Sequence, residues 1–182
     1  MTSVSAAYEP AVSRTGSPVA GAPASLRNVM SQFATGVVVL TVGGGRPHAM
    51  TANAFSSVSL ATPSVLCSVA HSAVMHDVLE GGGKFGVSVL SAEQEYLARH
   101  FANKERELGA AQFEGVDCFA GLHTDAPLLR GALAWMECEL EAAHSSGDHT
   151  IFIGSVLESR VGDGHQGLLF FDGKFGRASR VA

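Results

Sequence analysis

The apolar positions of this chain fall mostly into short alternating or continuous runs, and only a few stretches carry helical spacing. Ser25 stands where an N-cap belongs, and Leu26, Val29, Met30 and Phe33 follow at i, i+3, i+4 and i+7, which predicts a short helix. Strand-like runs come next: 36–42, a turn at Gly43-Gly44-Gly45-Arg46, then 48–55 and 64–70. A short helix over 72–79 and a strand over 84–90 follow. Ser91 and Gln94 have capping-box spacing ahead of a helix with Leu97 and Phe101 on one side, and 103–126 reads as mixed and loop-rich. In 134–142, Glu137, Glu139 and Glu141 alternate with Met136, Cys138, Leu140 and Ala142, the pattern of a half-solvated strand. A turn at Ser145-Ser146-Gly147-Asp148 returns the chain into 150–157, and 168–171 adds another strand. Strands that outnumber helices and recur at short spacing predict a mainly β fold, an antiparallel barrel with peripheral short helices.

Composition narrows the picture. The 182 residues are enough for one domain with a real core, at 46% hydrophobic and 16% charged. Residues 1–24 hold three of the six prolines and no hydrophobic periodicity or apolar leader, so they are expected to form a disordered tail before a domain at 25–182. The net charge of −5 and the absence of a basic stripe argue against nucleic acid and anionic membranes as partners, and no apolar run nears the ~20 residues of a membrane span. Cys67, Cys118 and Cys138 are odd in number, far apart and outside any CxxC, as expected of structural thiols in a reduced, cytoplasmic setting.

Several candidate chemistries fail on spacing. Gly43-Gly44-Gly45 is not GxGxxG and precedes a strand, while Gly81-Gly82-Gly83-Lys84 lacks the other residues of a P-loop. Among eight histidines there is no HxH or HExxH, so no metal site is expected, and no GxSxG elbow supports a nucleophilic triad. Two segments stand out instead. AMTANAFSSVSLATPSVLCSV (49–69) interleaves Thr51, Ser56, Ser57, Ser59, Thr62, Ser64 and Ser68 with apolar residues where a plain core strand would carry Val or Ile. Its hydroxyls suit a phosphate or the rim of a flat heteroaromatic ring, or equally a wet edge strand. Far along the chain, Asp148-His149 sits at a hairpin tip before the apolar Ile151-Phe152-Ile153, which reads as a polar turn or as a ligand contact.

Together these segments resemble the short-chain NAD(P)H:flavin reductase family, the reductase components of two-component flavin monooxygenases. The matching runs are FATGVVVLT (33–41), MTANAFSSVSLATPSVL (50–66), KFGVSVLS (84–91), PLLRGALAWMECEL (127–140), GDHTIFIGSV (147–156) and LLFFDGKFG (168–176), in family order. Ala61-Thr62-Pro63 stands where the family often has Asp-Pro-Pro, and Phe175 where a Tyr is frequent. The resemblance implies an FMN-binding split β-barrel and a homodimer. It implies hydride transfer from NADH, or NADPH, to FAD or FMN, with reduced flavin passing to a separate monooxygenase.

The same resemblance assigns residues. Thr51, Ala52 and Asn53 would line the flavin ring, with Val58 beside them, and Ser57 would help hold the phosphate. Val37 and Val38 would bound the site, His71, Ser72, Lys84 and Phe85 would lie near the phosphate-bearing tail, and Phe175 would complete it. Gly147, Asp148 and His149 match the nicotinamide motif, with His149 as the catalytic candidate. The cofactors carry such chemistry, so the protein needs no nucleophile. A flavin binder without reductase activity is the alternative, and it would not need the 147–149 turn. A pyridoxamine-phosphate-type oxidase on a related barrel would need more phosphate-binding Arg or Lys in its strands. No Arg cluster obviously suited to a 2′-phosphate is visible, which favours NADH.

Overall fold

The computed structural model describes residues 25–179, so the expectation of a disordered tail over 1–24 lies outside the described residues. In chain order the elements are α1 (Leu26–Met30), β1 (Thr35–Gly36), β2 (Val38–Val42), β3 (His48–Ala52), β4 (Phe55–Ser59), β5 (Ser64–Ala70), α2 (Val74–Gly82), β6 (Lys84–Val89) and α3 (Glu95–Ala102). They continue with β7 (Cys118–Ala120), β8 (Pro127–Leu129), β9 (Ala134–Ser146), β10 (His149–Val161), β11 (Gln166–Phe171) and β12 (Lys174–Ser179).

Seven strands form one antiparallel sheet in the order β3-β2-β6-β9-β10-β5-β4. Its two edge strands, β3 and β4, are consecutive in the chain and joined only by Asn53 and Ala54. Three Cα steps of 3.8 Å limit the gap from Ala52 to Phe55 to about 11 Å. The sheet must therefore curl until its edges almost meet, which makes a barrel split along one seam. This also explains why 48–55 is not one strand: the chain steps from one edge to the other in its middle. The run 36–42 breaks too, because β1 pairs with β11 in a second sheet (β1-β11-β12) while β2 joins the barrel.

Alternation along β2 divides the interior in two. Val38 and Leu40 face the barrel core with Cys67, Val69, Phe85, Val87, Cys138, Phe152 and the Met75 and Leu79 of α2. Val37 and Val39 face the other way, onto Leu97, Ala98 and Phe101 of α3 and Leu168 of β11. The run is thus buried on both sides, which is why it carries no polar alternation. Inside the barrel Phe85 lies over Gly154, where an added Cβ would sit 2.6 Å from its Cζ. The capping box forms as expected, with Ser91 N–H donating to Gln94 Oε1 at 3.1 Å.

Two expectations need correction. Glu137 does not face water: it is 5% exposed, and the chain at 122–124 folds over it. The amphipathic spacing of α1 is real and Ser25 caps it, but Leu26, Val29, Met30 and Phe33 are exposed, so the face that looked core-bound has no partner among the described residues. Cys67 and Cys138 are buried free thiols, pushed by burial up to about 12, and have the inert character expected of structural cysteines.

Candidate functional site

Antiparallel pairing of β5 with β10 sets His149 opposite Ala70, so residues seventy-nine positions apart meet at one end of the barrel. The chain leaving β5 is tied there by a hydrogen bond from His71 N–H to the Asp148 carbonyl at 2.9 Å. Gly147 has φ 61 at the first position of the two-residue loop between Ser146 and His149, where a II′ turn favours glycine. Behind the turn, His76 Nε2 and Thr150 Oγ1 lie 2.9 Å apart, and the His71 ring stands edge-on to His76 at 5.0 Å.

His149 Nδ1 is 2.7 Å from Asp148 Oδ1. A carboxylate only accepts, so Nδ1 carries the proton and Nε2 is left to face outward for a ligand. The hydrogen bond from His149 holds the Asp148 carboxyl below the usual carboxylate range.

Beside this turn lies a cavity of about 320 Å³, in the size range of small-ligand sites. Its walls come from three elements and a loop: His48, Met50 and Thr51 of β3, Ser72 to Val74 at the start of α2, Phe101 and Ala102 of α3, and Lys104, Arg106 and Leu108 beyond it. Thr51 Oγ1 donates to the Ala98 carbonyl at 2.8 Å, which fixes α3 against β3 and leaves its lone pairs as acceptors. Arg106 donates through Nη1 to the Asn103 carbonyl at 2.6 Å and through Nη2 to the Ala49 carbonyl, while its buried Nε has no partner. Burial, and then the Arg106 charge, push His48 down to about 4, so it is neutral near pH 7.

The residues expected to form the site are therefore only partly assembled. Thr51 and Ser72 share the cavity, and His71, Gly147, Asp148 and His149 share the adjoining turn. Ala52 is buried in the barrel core and Asn53 is exposed on the connector between the barrel's two edges. Ser57 and Val58 are exposed on β4, but the register sets Ser57 opposite Val65, five residues or roughly 17 Å along β5 from Ala70.

Others lie elsewhere. Val37, Val38 and Phe85 are closed inside the two cores, so their side chains offer no surface to a ligand in the single chain. Lys84 follows the C-terminal end of α2, a helix about 13 Å long that starts just after Ser72, and its Nζ donates to the His123 carbonyl at 3.3 Å. Phe175 packs on Phe170 and beneath the Arg99 guanidinium on the other side of α3. Conversely, the sequence reading passed over His48, Met50, Lys104 and Arg106. The two cations alternate with Glu105 and Glu107 in a loop-rich stretch, where the charges look mutually cancelled; only folding separates them.

The mostly apolar cavity with Lys104 and Arg106 in its lining suits an anionic heteroaromatic ligand. The sequence profile described as "Flavin reductase like domain" matches residues 30–179. The NADH-dependent FAD reductase of Streptomyces globisporus is 48% identical over 152 residues, covering 84% of each chain. The crystal structure of BorF, the flavin reductase component of a bacterial two-component tryptophan halogenase, superposes with a TM-score of 0.83 at 47% identity, covering 86% of this chain and 98% of that one. A Streptomyces globisporus NADH:FAD oxidoreductase solved with NAD and FAD fragments gives a TM-score of 0.78 at 46% identity, covering 86% and 91%. With the whole barrel and both segments singled out in the sequence inside residues 30–179, the chain belongs to the flavin reductase like family.

Proposed function

We propose that this chain is an NADH-dependent flavin reductase that passes hydride from NADH to FAD or FMN and releases the reduced flavin to a separate monooxygenase component. The observation that carries the reading is the meeting of the hydroxyl-rich segment with the 147–149 turn, through His71 N–H and the Asp148 carbonyl, beside a cavity with an unpartnered cation. Relatives named as NADH-dependent flavin reductases and as reductase components of monooxygenases support it.

The bound nicotinamide and flavin supply the redox chemistry, and the protein's task is to hold them in register. Thr51, Ala52 and Asn53 present backbone and small side chains to the flavin, with Ser57 and Val58 on the seam strand and His71 and Ser72 at the cavity lip. Asp148 fixes the tautomer of His149, whose outward Nε2 can bond the nicotinamide nucleotide. Val37, Val38, Phe85 and Phe175 support the site through packing, and Lys84 anchors the loop at His123.

In this reading the enzyme is a homodimer of the cytoplasm. The uncovered Leu26, Val29, Met30 and Phe33 supply a face that a second copy can bury, and three free cysteines suit a reducing compartment. Sedimentation at working concentration tests the dimer. The activity is tested by anaerobic NADH oxidation in flavin-free protein, with and without FAD or FMN, followed by nicotinamide absorbance. Oxidation only when flavin is present is expected; a flavin-binding protein inert to NADH would favour a binder without reductase activity.

A further inference from the structure

We propose that His76 is a positioning residue for hydride transfer: acting through Thr150, it braces the 147–149 turn against the start of α2. The proposal rests on the reductase reading for what the turn carries, but not for the brace itself.

His76 is out of character for its place. It lies beside Met75 and Leu79 on the buried face of α2 and is 8% exposed. A helix that only had to close the barrel core would carry an apolar residue there, because a buried imidazole is costly unless its nitrogens find partners. Both do. Nδ1 lies 3.4 Å from Asp77 Oδ1, and a carboxylate only accepts, so Nδ1 carries the proton and Nε2 accepts from the Thr150 hydroxyl at 2.9 Å. Glu80 Oε1, at 3.7 Å from Nε2, is beyond hydrogen-bond reach. The ring also stands edge-on to His71 at 5.0 Å and to Phe152 at 5.5 Å, so it is held on several sides.

The bond joins the two halves of the site. Ser72, Ala73 and Val74 line the cavity, and the N–H of His76 donates to the Ala73 carbonyl at 2.9 Å, so the ring and that wall share one rigid turn. Thr150 directly follows His149, and alternation along β10 turns the buried Thr150 side chain inward while the half-exposed His149 points the other way. Fixing Thr150 Oγ1 therefore fixes the strand at the root of the turn. Among the described residues it is the one side-chain hydrogen bond from α2 to β10. The other tie, from His71 N–H to the Asp148 carbonyl, is main-chain on both sides. Hydride donor and acceptor must sit roughly 3–3.5 Å apart, and a displacement of about 1 Å can cost on the order of a hundredfold, so a brace at this root bears on rate.

The test compares the parent chain with His76→Leu, Thr150→Val, their double variant, and His76→Gln, whose amide oxygen can take the place of Nε2. Hydride transfer is followed anaerobically by flavin bleaching at saturating NADH, beside flavin titration and hydrogen exchange at the His71 amide. His76→Leu and Thr150→Val should each slow transfer about tenfold and change flavin affinity by less than about twofold. The double variant should be no slower than the slower single one, because both remove the same bond. His76→Gln should recover to within about threefold of the parent. The His71 amide should exchange roughly fivefold faster in His76→Leu and Thr150→Val, with amides of the β2–β6 ladder at parental rates. A lowered thermal midpoint with unchanged transfer in the folded enzyme would make His76 merely structural and overturn the proposal. Multiplied losses in the double variant, no recovery in His76→Gln, or flavin affinity falling in step with the rate would each overturn it too. A parent chain that oxidises no NADH would sink the reductase reading, and the His71 amide would then decide the brace alone: faster exchange in both variants upholds it, unchanged exchange removes it.

Discussion

Two cavities in this structure, each with charged side chains in its lining, have opposite characters. The smaller, about 80 Å³, is lined by Phe119, Trp135, Glu137, Glu158 and Arg160, and its charges are answered from within the chain. Glu137 accepts from the N–H groups of Leu122, His123 and Thr124 and from the Thr124 hydroxyl, while Glu158 pairs with Arg160 and His123. Trp135 Nε1 donates to the Leu129 carbonyl at 2.6 Å. The larger cavity, beside the 147–149 turn, keeps an unpartnered Arg106 Nε and a Lys104 without an ion pair. A polar group whose partners are all internal holds the fold together; one left without partners calls for another explanation, such as strain, a bound water or a functional role. Burial and charge alone would not separate the two places, since both carry charged side chains and are partly enclosed.

The sharpest way to break this comparison is at Glu137. Glu137→Ala should strip three backbone N–H groups of their acceptor, destabilise by about 3–5 kcal/mol and lower the thermal midpoint by about 10 °C. Burial alone would raise the Glu137 pKa, but the hydrogen bonds from Thr124, His123 and Leu122 outweigh it and hold the carboxyl below its ordinary value. Its folded pKa being the lower, its stabilisation is present above the ordinary carboxylate pKa and is lost as pH falls through the folded one. A midpoint within 2 °C of the parent would show that the loop does not depend on this acceptor.

The same clamp is approached by Gly43, where an added Cβ would run into the Asp125 carbonyl, whereas nothing lies within 4 Å of one at Gly45. Gly43→Ala should cost about 2 kcal/mol through displaced backbone, and Gly45→Ala close to nothing. Denaturant midpoints of the pair decide it, and equal midpoints would refute the close packing.

At the other end, His149→Ala should leave stability nearly unchanged and impair NADH use. One lost hydrogen bond of ~0.5–3 kcal/mol is roughly a twofold to hundredfold loss in kcat/KM. Weakened flavin affinity with unchanged NADH kinetics would move this residue to the flavin. The smallest effect expected is at His48. Its folded pKa of about 4 lies below the ordinary 6.5, so stability is full above pH 6.5 and declines as pH falls toward 4. His48→Gln should flatten that decline in thermal midpoints; a parallel decline would assign it to another group.

Much of the architecture was legible in the pattern of the chain. The strand over 64–70 and the start of the one at 84 agree with the structure, and Ser91 and Gln94 form their capping box. Local signals suffice there because alternation and caps act within a few residues. Glu137 misled for the same reason: alternation places it on the outer face, but whether that face meets water depends on the loop at 122–124, which is remote from it in sequence. Likewise α1 shows its apolar stripe, yet nothing nearby in sequence says whether that stripe finds a partner.

For the site, local chemistry marked Thr51 and the Asp148-His149 tip, because hydroxyls inside a strand and a charged hairpin tip are anomalies at short range, whereas His71 and Ser72 came only from the family resemblance. The sequence by itself thus determined the strands, their turns and the two unusual segments, since each depends on neighbours within about ten residues. Only the tertiary structure decided that those segments meet, that Lys84 points away while Lys104 and Arg106 reach the cavity, and which polar groups remain unpartnered. Partnering is settled by strand register and barrel closure, which bring together atoms that no local pattern relates.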